Sequence, residues 1–188
     1  QNGIIKPIWD YGKWNGESSR MIAMDKGEIG VILSHYYIWT KMIRENINTV
    51  LVLEDDAISV FPSFISIIKN IMMHVPSDWD IILLGFLITP ADLQKQINKY
   101  IWKVNSFVLM HSYLINKKGA NKLVNHIPID MPLDAWISIH SSNAINPVNI
   151  YRHNYSYDMR NDQLAGKMSA LISQKNENVQ ITHTNVIS

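Results

Sequence analysis

The sequence predicts one α/β domain with a mostly parallel central sheet flanked by helices. Three observations carry that expectation. Short runs of β-branched and aliphatic residues alternate with segments whose apolar residues recur every three or four positions. The connections between them are short, and no internal repeat or heptad pattern interrupts the alternation. At 188 residues the chain is long enough for one sizeable core and cramped for two.

The first 26 residues scatter Gly, Pro and Trp without period and read as irregular structure. From Gly27 the pattern changes: Ile29, Ile32, Leu33, Tyr36, Trp39, Met42 and Ile43 fall on one face of a helix. "TVLVL" is a short buried strand. Pro62 suits the first turn of a second helix, with Phe64, Ile67, Ile68 and Ile71 on one face. "WDIILLG" is a second buried strand, and residues 86–99 read as a loop. "YIWKVNSFVLMHSYLI" holds two short strands, and "NKKGANKLVNHI" is a helix by spacing. A further helix begins at Leu133 after two prolines, and "INPVNIYRH" is the last strand. The domain is drawn as residues 1–161, followed by a polar tail over 162–188.

Composition narrows the chemistry. The formal net charge is +1, from 17 basic and 16 acidic side chains. A general nucleic-acid binder would need a surplus of Lys and Arg to neutralise phosphates, so nucleic acid is not an expected partner. There is no cysteine, which excludes thiolate metal sites, disulfides and cysteine nucleophiles, and any metal must use oxygen or imidazole. A cysteine-free chain fits a reducing cytoplasm, the expected location. The longest apolar runs fall short of the ~20 residues of a membrane span, and no secretory signal opens the chain.

The stretch "LVLEDDAISV" ends a strand on three consecutive carboxylates, Glu54, Asp55 and Asp56. In an open α/β sheet ligands bind beyond the carboxyl ends of the strands. Alternation along an extended backbone would put Glu54 and Asp56 on one side with Asp55 opposite. Adjacent carboxylates repel unless a cation joins them, and a hard divalent ion bridging carboxylates to a substrate's phosphates is the natural partner. A solvated turn, or acids at the start of the next helix, is the plainer reading of the same three residues.

The preceding context shifts the balance towards the ligand site. "KGEIGVILSHYYIWTKMI", a short break and "TVLVLEDDA" together resemble glycosyltransferase family 25, which includes bacterial lipooligosaccharide galactosyltransferases and collagen galactosyltransferase domains. The matching blocks are Gly27–Glu28–Ile29–Gly30, Leu33–Ser34–His35 and Glu54–Asp55–Asp56. His111 and Tyr113 match the family's His-x-Tyr, and Asp134 in "IPIDMPLDAWI" matches the acid of its Pro-Val-Asp element. The resemblance runs from about residue 25 to about residue 157. Members usually carry a first nucleotide-binding unit upstream, and this chain shows nothing resembling it.

The resemblance implies a GT-A-like fold and transfer of a hexose, most naturally galactose, from a UDP-sugar to an acceptor hydroxyl with inversion. It implies Mn2+ or Mg2+ held by Asp56 and Glu54, with donor contacts from Ser34, His35, Glu54 and Asp55. Asp134 is the expected base, with Asp130 a rival and an N-terminal helix acid its structural alternative; His111 is expected to touch donor or acceptor. His153 could complete a metal site from the far end of the domain. Trp136 could stack on an acceptor sugar or belong to the core. The acceptor would be a glycan of lipooligosaccharide type, with peripheral membrane contact if it is lipid-linked, or hydroxylysine. A catalytically silent relative that only binds partners, and a metal-dependent phosphoesterase, are the rival functions.

Overall fold

A computed structural model describes residues 3–14, 16–55, 57, 64–87, 94–142 and 145–158. Asp56, Pro62 and the polar tail lie outside the described residues. The elements run β1 (Ile8–Asp10), α1 (Tyr11–Trp14), β2 (Met21–Ala23), α2 (Lys26–Arg44), β3 (Thr49–Leu53), α3 (Phe64–His74) and β4 (Ile81–Leu87). They continue with β5 (Gln94–Gln96), β6 (Ile101–Val104), β7 (Val108–Asn116), α4 (Lys117–Asn125), α5 (Leu133–Ser141) and β8 (Ile150–Asp158).

The α/β class holds, but the sheet is mostly antiparallel. Six strands lie in the order β3-β7-β4-β8-β6-β5, and only the β4–β8 pairing is parallel. The reversal comes from β7, which enters between β3 and β4 and bonds antiparallel to both. β7 is reached from β6, two strands away in the sheet, through the short Asn105–Phe107 segment, and its direction is set by the partners on its two sides. Two loop expectations also change. Residues 86–99 include the end of β4 and all of β5, and the front of the chain forms the two-stranded β1–β2 sheet, with Trp9 buried opposite Ile22.

α2 starts where its capping box dictates. Asp25 accepts from the Glu28 N–H at 2.8 Å, and Glu28 accepts from the Asp25 N–H at 2.8 Å, satisfying two otherwise orphaned donors and worth about 1 kcal/mol. The glutamate of the Gly-Glu-Ile-Gly block therefore has a structural task. From there α2 buries Ile32, His35, Trp39 and Met42. It packs with α4 and α5 on one face of the sheet, over Val50, Val52, Ile81, Leu83, Tyr113 and Ile115. α3 covers the other face, where Ile71 meets Ile82, Ile101, Leu114 and Tyr151. Each fully buried aliphatic side chain contributes about 1.5–3 kcal/mol to this arrangement.

Trp136 is 2% exposed and stacks on Trp39 with ring centroids 6.5 Å apart. Of its two sequence readings the core one holds. Trp39 and Trp79 are likewise buried.

Candidate active site

β3, β4 and β8 run the same way, so their carboxyl ends lie along one end of the sheet. The β3–β7 ladder pairs Leu53 with Ser112, and the Glu54 N–H extends it by donating to the His111 carbonyl at 2.9 Å. Glu54 therefore continues the alternation of Val50 and Val52 onto the α2 face, half-buried, and His111 and Tyr113 share that face by the two-residue period of β7. Alternation stops there: the Ala57 N–H donates back to the Glu54 carbonyl at 3.1 Å, closing a turn that leaves Asp55 exposed. The expected pairing of Glu54 with Asp56 on one side falls outside the described residues, since Asp56 is not among them.

The β4–β7 ladder is regular from Ile81↔Ile115 to Leu83↔Tyr113 and then loses register between Leu83 and Leu87. The shifts step over Leu84 on β4 and over His111 and Leu109 on β7, so the irregularity is confined to the site end of the sheet. Gly85 lies against the His111 ring: a Cβ there would meet His111 Cδ2 at 3.3 Å. His111 lies inside β7, in the irregular stretch.

Leu109 has φ +57°, a left-handed backbone that costs a non-glycine residue roughly 1–2 kcal/mol. Asp134 holds it there. Asp134 Oδ2 accepts from the Leu109 N–H at 2.8 Å and Oδ1 from the Ala135 N–H at 2.7 Å. The carboxylate thus caps the first turn of α5 and pins the bulge two residues before His111. It serves as the helix acid that the sequence offered as an alternative, and it does so at the same end of the sheet as Glu54. Each carboxylate oxygen keeps a second lone pair for a further partner.

Beneath this end lies a buried polar cluster. His35 Nδ1 is 2.7 Å from the Tyr113 hydroxyl, which also accepts from Trp39 Nε1 at 3.2 Å, and the His35 ring stacks on Tyr113. Burial pushes the Tyr113 hydroxyl pKa well up, the Trp39 bond opposes it, and the nearby Glu54 charge adds to the rise. The hydroxyl keeps its proton and can donate it to His35 Nδ1, leaving that imidazole protonated on Nε2. Burial lowers the His35 pKa from 6.5 to about 4, so the ring is neutral at physiological pH. The sequence pointed to Tyr113 through its spacing from His111, but its role as the acceptor under the site required the fold.

The structure thus brings Glu54, Asp55, His111 and Asp134 to one end of the sheet. Two of the expected donor contacts are placed otherwise. His35 is 5% exposed and turned into the core, and the exposed Ser34 bonds its own helix at the Gly30 carbonyl, 2.9 Å. His153, buried on β8 opposite Ile101 and stacked on Tyr100, lies on the α3 face, away from Glu54. Asp130 is half-buried just before α5 and acts electrostatically on His140. Among the described residues no group of three or more His, Asp or Glu could hold a metal ion. Of the expected ligand pair Asp56 and Glu54, only Glu54 is among the described residues, and its carboxylate is the oxygen type that a hard cation takes.

The pattern of glycosyltransferase family 25 (LPS biosynthesis protein) matches residues 10–137, and the chain belongs to that family. It is similar to a glycosyltransferase 25 family member of Aedes aegypti, 37% identical over 139 residues, covering 65% of this chain and 21% of the relative. It is also similar to procollagen galactosyltransferase 1 of Danio rerio, 31% identical over 126 residues, 62% of this chain and 20% of the relative. A Bos taurus relative, 27% identical over 131 residues with coverages of 62% and 20%, is named a probable inactive family member. The chain spans about a fifth of the length of these relatives.

Proposed function

We propose that this chain carries the donor-binding end of a hexosyltransferase that moves a sugar, galactose first among candidates, from a UDP-sugar to an acceptor hydroxyl. The observation that supports this most is the convergence of Glu54, Asp55, His111 and Asp134 on one sheet end in a family 25 chain. In this reading the acceptor oxygen attacks the anomeric carbon as the bond to the diphosphate breaks. UDP leaves, and the hydroxyl proton passes to the Asp134 carboxylate. Mn2+ or Mg2+ held by Asp56 and Glu54 would neutralise charge on the departing diphosphate. Asp55, exposed beside them, would face the donor, and His111 would orient donor or acceptor from inside its bulge. The relatives' names point to a lipopolysaccharide-type glycan or a collagen acceptor.

A second reading, a silent member that binds without transferring, is favoured by the inactive bovine relative. Calorimetric titration of UDP-galactose and UDP-glucose, with and without Mn2+, separates the two. Metal-dependent binding that disappears in Asp56→Asn supports the donor site. Hydrolysis or transfer that is lost in Asp134→Asn while binding persists supports the enzyme. Donor binding unaffected by Asp56→Asn would overturn the metal assignment.

A further inference from the structure

The face of the sheet opposite the candidate site carries a surface that sugar transfer leaves unexplained. α3 buries Ile71 and packs Ile67 and Ile68 inward, yet its outer stripe is also apolar: Ile65 is 52%, Met72 39% and Met73 72% exposed, with Lys69 among them. An ordinary surface helix turns a polar face outward.

The β5–β6 hairpin adjoins the end of that helix. Asn98 Nδ2 donates to the His74 carbonyl at 3.0 Å, and the His74 and Tyr100 rings lie 4.0 Å apart. The hairpin turn exposes Ile97, 40% accessible, and sets Lys99 over the Tyr100 ring at 4.7 Å. The ladder pairs Lys95 directly with Lys103, so both stand on the face of Ile101, which is the α3 face. Lys103 Nζ donates to Asn149 Oδ1 at 3.0 Å, while Lys95 opposite it is exposed; like charges across a ladder repel, so an anion in front of Lys95 would relieve the pair. Residues 64–75 and 94–105 together contain four lysines and no acid, in a chain whose formal net charge is only +1. Asp78, three residues past α3's segment, already accepts from Tyr151 at 2.9 Å and from Asn149, and Asp92, just before β5, lies outside the described residues.

We infer that α3 and the β5–β6 turn form a docking surface for an anionic phospholipid membrane. Ile65, Met72, Met73 and Ile97 would enter the headgroup boundary, while Lys69, Lys95 and Lys99 meet the lipid phosphates. Protruding apolar side chains together with lysines fit a lipid interface better than a soluble polyanion, which would use the charges and leave the apolar stripe in water. Among the described residues no helix is long and apolar enough to cross a membrane, so the contact is peripheral.

Flotation of the full chain with phosphatidylcholine vesicles, with and without phosphatidylglycerol, tests this. The expected result is binding that requires phosphatidylglycerol and weakens with salt. Lys95→Gln and Lys99→Gln should each reduce partitioning about fivefold, the ratio corresponding to ~1 kcal/mol per basic residue at an anionic surface. The Ile65→Ser/Met73→Ser variant should reduce it with the lysines intact. Absence of binding to anionic vesicles would overturn the inference. So would lysine-dependent binding unchanged by the serine variant, which would mark a soluble-polyanion site. These exposed positions stand apart from the candidate active site, so titrating UDP-galactose into the same variants separates failure here from failure of the transferase reading.

Discussion

Two sets of carboxylates sit at opposite ends of one sheet, and the chain treats them differently. At the start of β4, Asp80 is 0% exposed. Lys122 Nζ reaches it at 2.6 Å, Lys118 at 3.4 Å, and the Asn149 N–H donates to it at 2.8 Å. Gly119 makes this possible, because a Cβ there would meet the Asp80 carbonyl at 2.7 Å and hold α4 away. At the far end, Asp55 is exposed, Glu54 is half-buried, and Asp134 spends its oxygens on backbone amides. A charge buried among counter-charges from its own chain is committed to the fold; at the far end Asp55 faces solvent, and the Asp134 oxygens take backbone N–H groups rather than a cationic side chain.

The sharpest way to break that contrast is Asp80→Ala. Removing one partner of a buried pair leaves Lys122 uncompensated, and a loss of about 3–5 kcal/mol is expected in urea unfolding. Adding Lys122→Met should recover part of it. Glu54→Gln should do the reverse. Stability should stay within about 0.5 kcal/mol, while donor affinity or transfer drops roughly 10–100-fold, the scale seen when a metal site loses a supporting carboxylate. If Glu54→Gln unfolds the chain, the site end is structural as well and the contrast collapses.

A gentler test uses acid. The His35 pKa is lowered from 6.5 to about 4 by burial, so between those values the unfolded chain binds a proton that the native chain excludes. The contribution is complete above pH 6.5 and is lost as pH falls towards 4, with a slope approaching about 1.4 kcal/mol per pH unit. Burial lowers His140 in the same direction, with the His126 charge adding to it and Asp130 opposing. Its partial exposure makes its share smaller. Urea midpoints measured from neutral pH downwards should fall, and His35→Gln should flatten the profile. An unchanged slope would mean that His35 is not the buried neutral group described.

The sequence made α2, β3, α4, α5 and the Glu54–Asp55 strand end legible because each depends on local signals: period, breakers and an abrupt change from apolar to acidic. The same local reading missed β1 and β2, whose three residues each are too few to show alternation. It also missed the direction of β7, which is fixed by partners on both sides rather than by its own residues. Asp80 passed unnoticed inside "WDIILLG" because Lys122, 42 positions away, is what makes a buried acid tolerable there. Asp134 was found through its resemblance, yet its bond to a strained Leu109 is a tertiary fact that no spacing announces.

β7 carries a consequence for how the molecule comes into being. β3 and β4 have no hydrogen bond to each other, since β7 lies between them. As the chain is synthesised, two apolar strands emerge with unmatched edges and wait for residues 108–116 before either gains its neighbour. Non-local pairing of this kind is slow and exposes strand edges to other chains. β8 then joins β4 to β6 from residues 150–158, but until β7 inserts β3 and β4 share no strand end, so the step that joins them is also the step that creates the site.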